Sequence, residues 1–152
     1  MGVNRDTIVD RLVPYFKKDK RYHLLICDCG FAKVDKLVEM YPDRIVNCGI
    51  MEQGTIGIAS GMADSGLIPI VYSIASFIVY RALEQLKVDV VEMDRNVKVI
   101  GNGSRDFFKS LGECHWCRDD DVKLMDVIYM PWYNGSEFND WIGSERGGYI
   151  RV

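Results

Sequence analysis

A three-layer α/β/α fold, with helices on both faces of a mostly parallel central sheet, is predicted by two features of the sequence. Short apolar runs with strand character alternate with segments of helical character along the chain. Several of those runs, "YHLLICD", "LIPIVYS" and "VKVIG" among them, are apolar on successive residues, as in strands covered on both faces.

Taken in order, residues Arg5 to Lys18 read as an opening helix with Asn4 as its cap, and Pro14 is expected to kink or shorten it. "YHLLICD" is the first strand, "VDKLVEMY" a short helix, and "RIVNCG" the second strand. Glu52 to Ser65, rich in small residues, reads as helix, and "LIPIVYS" as the third strand. Ser76 to Met93 is the longest helix candidate, and "FIVYRAL" within it is apolar almost all round, which predicts burial on more than one side. "VKVIG" and "VIYMP" are strands four and five, "SEFNDWI" is a short helix, and "GGYIRV" is a sixth strand. Ligands in such sheets bind beyond the C-terminal ends of the strands. Glu52 follows strand two and "GNGSRD" follows strand four, so both belong to that edge.

The 152 residues suit one domain, residues 1–152, with 48% hydrophobic and 27% charged side chains and no repeat, linker or low-complexity tract. A net charge of −3 without a basic stripe argues against a nucleic-acid partner. The longest apolar stretch, Gly66 to Tyr80, holds Pro69 and is too short to span a bilayer. The opening "MGVNRDTIVDRLV" has no signal-peptide core, and Asp6 stands where a myristoylation motif needs Ser or Thr. A cytoplasmic location is expected. Five cysteines, an odd number, fit a reducing compartment, and Cys27, Cys29 and Cys48 in apolar runs act as small hydrophobes.

Glu52 stands between an apolar strand and a glycine-punctuated apolar segment, "CGIMEQGTIGIASG". By spacing alone it is an acidic residue in a helix's first turn, where it complements the helix dipole. "DRIVNCGIMEQGTIGIASGMADSGLIPIVYSIASFIVYRALEQLKVDVV", however, resembles the pyrimidine-binding domain of transketolase-like thiamine diphosphate enzymes. That family carries G-I-x-E-Q, a small-residue helix, an apolar strand, a Ser/Thr–x–Phe-like turn and R-A-x-[DE]-Q. Here these read "GIMEQ", "GIASGMADSG", "IPIVYS" and "SFIVYRALEQ", and "PDRIVN" matches the stretch before them.

The resemblance implies the transketolase-type thiamin-binding fold and a role for each matched residue. Glu52 would hydrogen-bond the N1′ nitrogen of the cofactor's aminopyrimidine, favouring the imino form of the 4′-amino group that takes the thiazolium C2 proton. Such a carboxylate works best with raised proton affinity, which dry, apolar surroundings provide. Phe77 would stack on the pyrimidine, with Tyr80 and Arg81 one turn along in the same pocket. Asp28 matches the aspartate that follows the first strand and approaches the thiazolium end across an interface between protomers. In "GNGSRDFFKSLGECHWCRDDD" the family's G-P-T-H has become "GECH", and His115 falls on the histidine that faces substrate or diphosphate in relatives. The lost proline and threonine put the loop's conformation, and hence substrate choice, in question. His23 lies in a strand-like run and reads as structural.

Cys114 and Cys117 in "CHWC" have the spacing of a zinc or redox pair. A structural zinc would want two more ligands, and only Cys27 and Cys29 could supply a second pair, at a spacing that suits metal poorly. The pair therefore reads as two free thiols, "RDDDVKLMD" as a helix start, and no metal ligand is assigned to this chain.

No G-D-G occurs in the sequence, although the diphosphate- and Mg2+-binding domain of the family carries G-D-G followed at a distance by Asn. The resemblance thus implies an isolated ring-binding subunit, completed by a partner chain that supplies the diphosphate half, with two such pairs in a heterotetramer. Trp116, Trp132 and Trp141 are compatible with a partner-covered surface or with the core. Three readings follow: a small subunit of a split transketolase moving a two-carbon ketol unit between sugars or sugar phosphates; a subunit of a 2-oxoacid decarboxylase or dehydrogenase E1; and a non-catalytic binding or regulatory relative.

Overall fold

The computed structural model of the chain describes residues 5–32, 34–102 and 109–115. Helix α1 (Arg5–Lys18) leads into strand β1 (Tyr22–Ile26), and α2 (Asp35–Met40) and a 3-10 turn (Pro42–Arg44) lead to β2 (Ile45–Asn47). Helix α3 (Glu52–Asp64), β3 (Ile68–Ile74), α4 (Ala75–Gln85), a π-helical segment (Leu86–Glu92) and β4 (Lys98–Asn102) follow. All four strands are parallel, in the order β2–β1–β3–β4.

Strand alternation sorts the core onto two faces. Leu25, Val71 and Val99 point to one side, where Ile56 and Ala59 of α3, Ile78, Val79 and Ala82 of α4, and Leu86 and Val90 pack on them. Leu24, Ile26, Ile70, Tyr72 and Ile100 point to the other, against Leu12 and Phe16 of α1 and Leu37 of α2. Both sides of β1, β3 and β4 are covered, which explains why these strands read as nearly continuous apolar runs, whereas the short edge strand β2 is partly exposed. The order of layers agrees with the α/β/α expectation.

The differences are local. Helix α1 continues past Pro14 to Lys18, so the proline does not shorten it. The long helix expected over Ser76–Met93 begins at Ala75 and passes into π geometry after Gln85. There Leu86 and Val90 are both fully buried, and the Asp89 carbonyl accepts the Ser60 hydroxyl of α3 at 2.6 Å. The wider turn thus docks onto α3 through a main-chain acceptor, a feature that apolar periodicity does not reveal. Among the described residues no helix is long and apolar enough to cross a membrane. The expected fifth and sixth strands, the "SEFNDWI" and "RDDDVKLMD" helices, Asn4, Cys117, Trp116, Trp132 and Trp141 lie outside the described residues.

Candidate active site

The C-terminal edge of the sheet is organised by one asparagine. Asn47, the last residue of β2, accepts the Asp28 and Gly49 N–H groups at 3.1 and 2.9 Å through Oδ1, and its Nδ2 donates to Asp28 Oδ1 at 3.2 Å. Gly49 takes a φ of +72° with open space around it, so backbone freedom is what the turn requires of it. The chain then enters α3 with Glu52 as its first residue.

Glu52 is 2% exposed, and both carboxylate oxygens are engaged. Ser73, near the end of β3, donates its hydroxyl to Oε1 at 3.2 Å, and Arg81 Nη1 of α4 donates to Oε2 at 3.0 Å. The Arg81 guanidinium carbon lies 3.9 Å from the centre of the Phe77 ring, within cation–π distance. Phe77 in turn meets His115 edge-on, with ring centres 4.8 Å apart and planes at 62°. Ser76 anchors the loop that carries His115 by donating to the Cys114 carbonyl at 2.9 Å. The exposed Cys114 Sγ lies 3.1 Å from His115 Nδ1.

Four of the sequence-predicted residues, Glu52, Arg81, Phe77 and His115, therefore form one continuous chain of contacts drawn from α3, α4 and the loop after β4. Tyr80 lies on α4 one turn from Phe77 and is 53% exposed. Asp28 belongs to the Asn47 network at the ends of β1 and β2, with a left-handed φ of 47°. Sequence reasoning missed Ser73 and Asn47. A hydroxyl near the end of an otherwise apolar strand, and an asparagine just before a glycine turn, were the available signals.

Of the two cysteines at the end of β1, Cys27 is buried and Cys29 partly buried. Cys27 Sγ reaches Thr55 Oγ1 of α3 at 3.5 Å, and burial pushes its thiol pKa up. Cys29 packs on the opposite face beside the Tyr72 carbonyl, and burial pushes its thiol up to about 12. Positions two apart on a strand share a face, but β1 ends at Ile26 and the left-handed Asp28 turns Cys29 to the other side. The two thiols thus diverge, and among the described residues no group of three or more His, Cys, Asp or Glu side chains could hold a metal ion.

What the arrangement offers chemically is a buried carboxylate beside an aromatic ring at the edge of a parallel sheet. A carboxylate acceptor and an aromatic face are the kinds of group that a planar nitrogen heterocycle complements.

No family model matches the chain. It is 39% identical over 89 residues to an apulose-4-phosphate transketolase subunit of Actinobacillus succinogenes, across 59% of this chain and 29% of that one. It is 33% identical over 125 residues to the 6-deoxy-6-sulfo-D-fructose transketolase subunit SqwH of Clostridium sp., across 82% of this chain and 38% of that one. Among solved structures, a split-gene transketolase described as an inactive beta4 tetramer superposes with a TM-score of 0.69 at 26% identity, covering 81% of this chain and 39% of that one. The chain spans about a third of the length of the curated relatives it matches. The resemblance read from the "GIMEQ" and "SFIVYRALEQ" motifs is borne out in sequence and in fold.

Proposed function

We propose that this chain, similar to subunits of split transketolases, is a pyrimidine-binding domain over residues 1–152 and the ring-binding half of a thiamine diphosphate-dependent transketolase-like enzyme. The single observation that carries the reading is Glu52: a carboxylate 2% exposed, at the start of α3, joined through Arg81 to the Phe77 ring. A buried acid needs a reason, because taking a carboxylate out of water is expensive unless it is compensated. When bound, thiamine diphosphate supplies the nucleophilic carbon and the electron sink for cleaving a bond next to a carbonyl. The chain's residues would do the rest. Glu52 would hold the proton shared with N1′ of the ring, Ser73 would keep the carboxylate oriented, and Phe77 would carry the ring's face. Thr55, Ile56 and the surrounding apolar residues would exclude water. His115, which touches Phe77, would meet the substrate.

The diphosphate and Mg2+ would be held by a partner subunit carrying G-D-G…N, in a cytoplasmic heterotetramer of two pairs acting on sugars or sugar phosphates. The names of the relatives support ketol transfer over 2-oxoacid decarboxylation. The Glu52–Arg81 pair lies within the site, against Phe77, rather than leading the acid away from it, and this supports the catalytic reading over a purely regulatory one.

A tagged copy expressed in its native host tests the proposal. A co-purifying chain with G-D-G…N in equal amount, and ketol transfer by the pair, are expected. Decarboxylation of 2-oxoacids without ketol transfer would select the E1 reading. A protein that purifies alone as a homo-oligomer and lacks activity would select the regulatory one.

A further inference from the structure

Glu52 and Phe77 are the two groups on which ring binding rests, and one side chain engages both. Arg81 donates to Glu52 Oε2 at 3.0 Å and lays its guanidinium 3.9 Å from the centre of the Phe77 ring. One guanidinium thus covers one oxygen of the acid and one face of the ring. A ring bonded to Glu52 and stacked on Phe77 would lie in the same place. The guanidinium is itself planar, cationic and rich in N–H donors, so it satisfies the same two surfaces that a planar heterocycle would. The occupants are alternatives, since one volume cannot hold two planar groups.

Arg81 also has somewhere to go. Its side chain is 46% exposed, against 2% for Glu52, so the arginine can withdraw into water while the acid cannot. In its present position it compensates a carboxylate that would otherwise be buried with only Ser73 as its hydroxyl donor. His115 approaches the same Phe77 ring and its loop is tied to α4 through Ser76.

We infer that Arg81 is a resident cap on the ring site, seated on Glu52 and Phe77 and displaced outward when a planar nitrogen heterocycle enters. The inference rests on the ring-binding reading above and adds a selection rule to it. A ligand opens the site only if it replaces both contacts at once, with a ring nitrogen for Glu52 and a π face for Phe77. Aliphatic amines and simple cations replace at most one.

The test uses the neutral aminopyrimidine alcohol that forms the ring half of thiamine, because it carries no charge for an arginine to repel. It is titrated by NMR onto the full chain and onto Arg81→Gln, with Arg81→Lys as a second variant that keeps the charge and loses the planar stack. Removing the competitor is expected to tighten binding about five- to tenfold in Arg81→Gln, and about two- to threefold in Arg81→Lys. In the unsubstituted protein the Arg81 guanidinium signals are expected to show hindered rotation, released as the ring binds. Equal or weaker binding by Arg81→Gln, where the unsubstituted protein binds, would make Arg81 a neutral bystander or a ligand of the ring. That result overturns the cap and leaves the ring-binding reading standing. No binding by any form, with folding verified by circular dichroism, removes the ring-binding reading and the cap with it. Free rotation of the Arg81 guanidinium in the ligand-free protein overturns the cap even if a variant fails to fold.

Discussion

An arginine lies over an aromatic ring at each end of the parallel sheet, and the two are held in different ways. At the N-terminal end Arg44, just before β2, stands 4.2 Å from the Tyr41 ring centre and 5.0 Å from that of Phe16. Its Nη1 donates to the main-chain carbonyls of Phe16 and Asp19, at 2.9 and 3.2 Å. Those carbonyls lie in and just beyond the last turn of α1, where helix acceptors lack partners and the dipole favours a cation. At the other end Arg81 also lies over a ring, but its acceptor is a side chain, the Glu52 carboxylate. A cation bonded to main-chain carbonyls ties the fold together. A cation bonded to a side-chain carboxylate can be exchanged for a ligand. On the proposed function, the same pair of interactions is architecture at one edge and part of the ring site at the other.

The sharpest break of this contrast is made at Glu52. If the chain assembles with a diphosphate-binding partner as proposed, Glu52→Gln is expected to lower ketol transfer by the pair about 10²–10⁴-fold, the range for removing a positioned proton-handling group. Assembly and unfolding midpoint should stay close to those of the unsubstituted protein, because glutamine can still accept from Ser73. An active Glu52→Gln enzyme would reduce Glu52 to a helix-start residue.

Arg44→Ala addresses the architectural end. It removes two ring contacts and two charge-assisted hydrogen bonds, and the expected loss of unfolding free energy in urea is about 2–4 kcal/mol. Activity per folded molecule should be unchanged. A loss well under about 1 kcal/mol, the scale of an exposed pair, would erase the distinction between the two arginines.

Lys98, the first residue of β4, adds a half-buried base to the N-terminal end, and its loss of hydration lowers its pKa to about 8. Below that pH it is charged whether the chain is folded or unfolded, and folding carries the full penalty of burying the charge. Between about 8 and its ordinary value of 10.5 the folded chain has released a proton that the unfolded chain still holds, so this residue's contribution to stability rises with pH. Above that window the penalty is gone. Lys98→Met should therefore be more stable at neutral pH by about 1–2 kcal/mol, with the gap closing as pH rises through the window. Cys27 and Cys29, with raised pKa values, pull stability down above the ordinary thiol value of 9.0. They do so in both proteins and cancel in the difference. A gap that is flat with pH would show that Lys98 keeps its charge at no penalty.

How much of this was legible beforehand differs between fold and site. The four described strands and the helices between them were readable chiefly because β1, β3 and β4 are buried on both faces and read as apolar runs, while the short, partly exposed β2 was readable from its place before the glycine turn. The shift to π geometry after Gln85 was not readable, because it depends on a main-chain acceptor meeting Ser60 across space. In the site, Glu52 and Phe77 could be singled out from the family resemblance that their motifs carry, though not from spacing alone. The contacts that join Arg81 to both, and Ser73 to Glu52, could not: they depend on how far α4 and β3 lie from the start of α3. Asp28 shows the same limit. Its sequence position matched a family aspartate, and the left-handed backbone and the bond to Asn47 appear only once the strand ends are side by side.

The smallest expected effect is the most discriminating. Arg81→Gln should cost about 1 kcal/mol in urea, because a half-exposed guanidinium contributes little on its own while the carboxylate it leaves behind loses its compensation. That second part disappears when the acid is also removed. The double variant Glu52→Gln/Arg81→Gln should thus recover most of the loss, with a coupling energy of about 0.5–1 kcal/mol in the double-mutant cycle. Arg44 offers the control. Combined with Glu52→Gln, Arg44→Ala should show no coupling, because its partners are main-chain carbonyls and rings at the far end of the sheet. Coupling at Arg44, or its absence at Arg81, would mean that the two ends of the sheet do not divide the work as their geometry indicates.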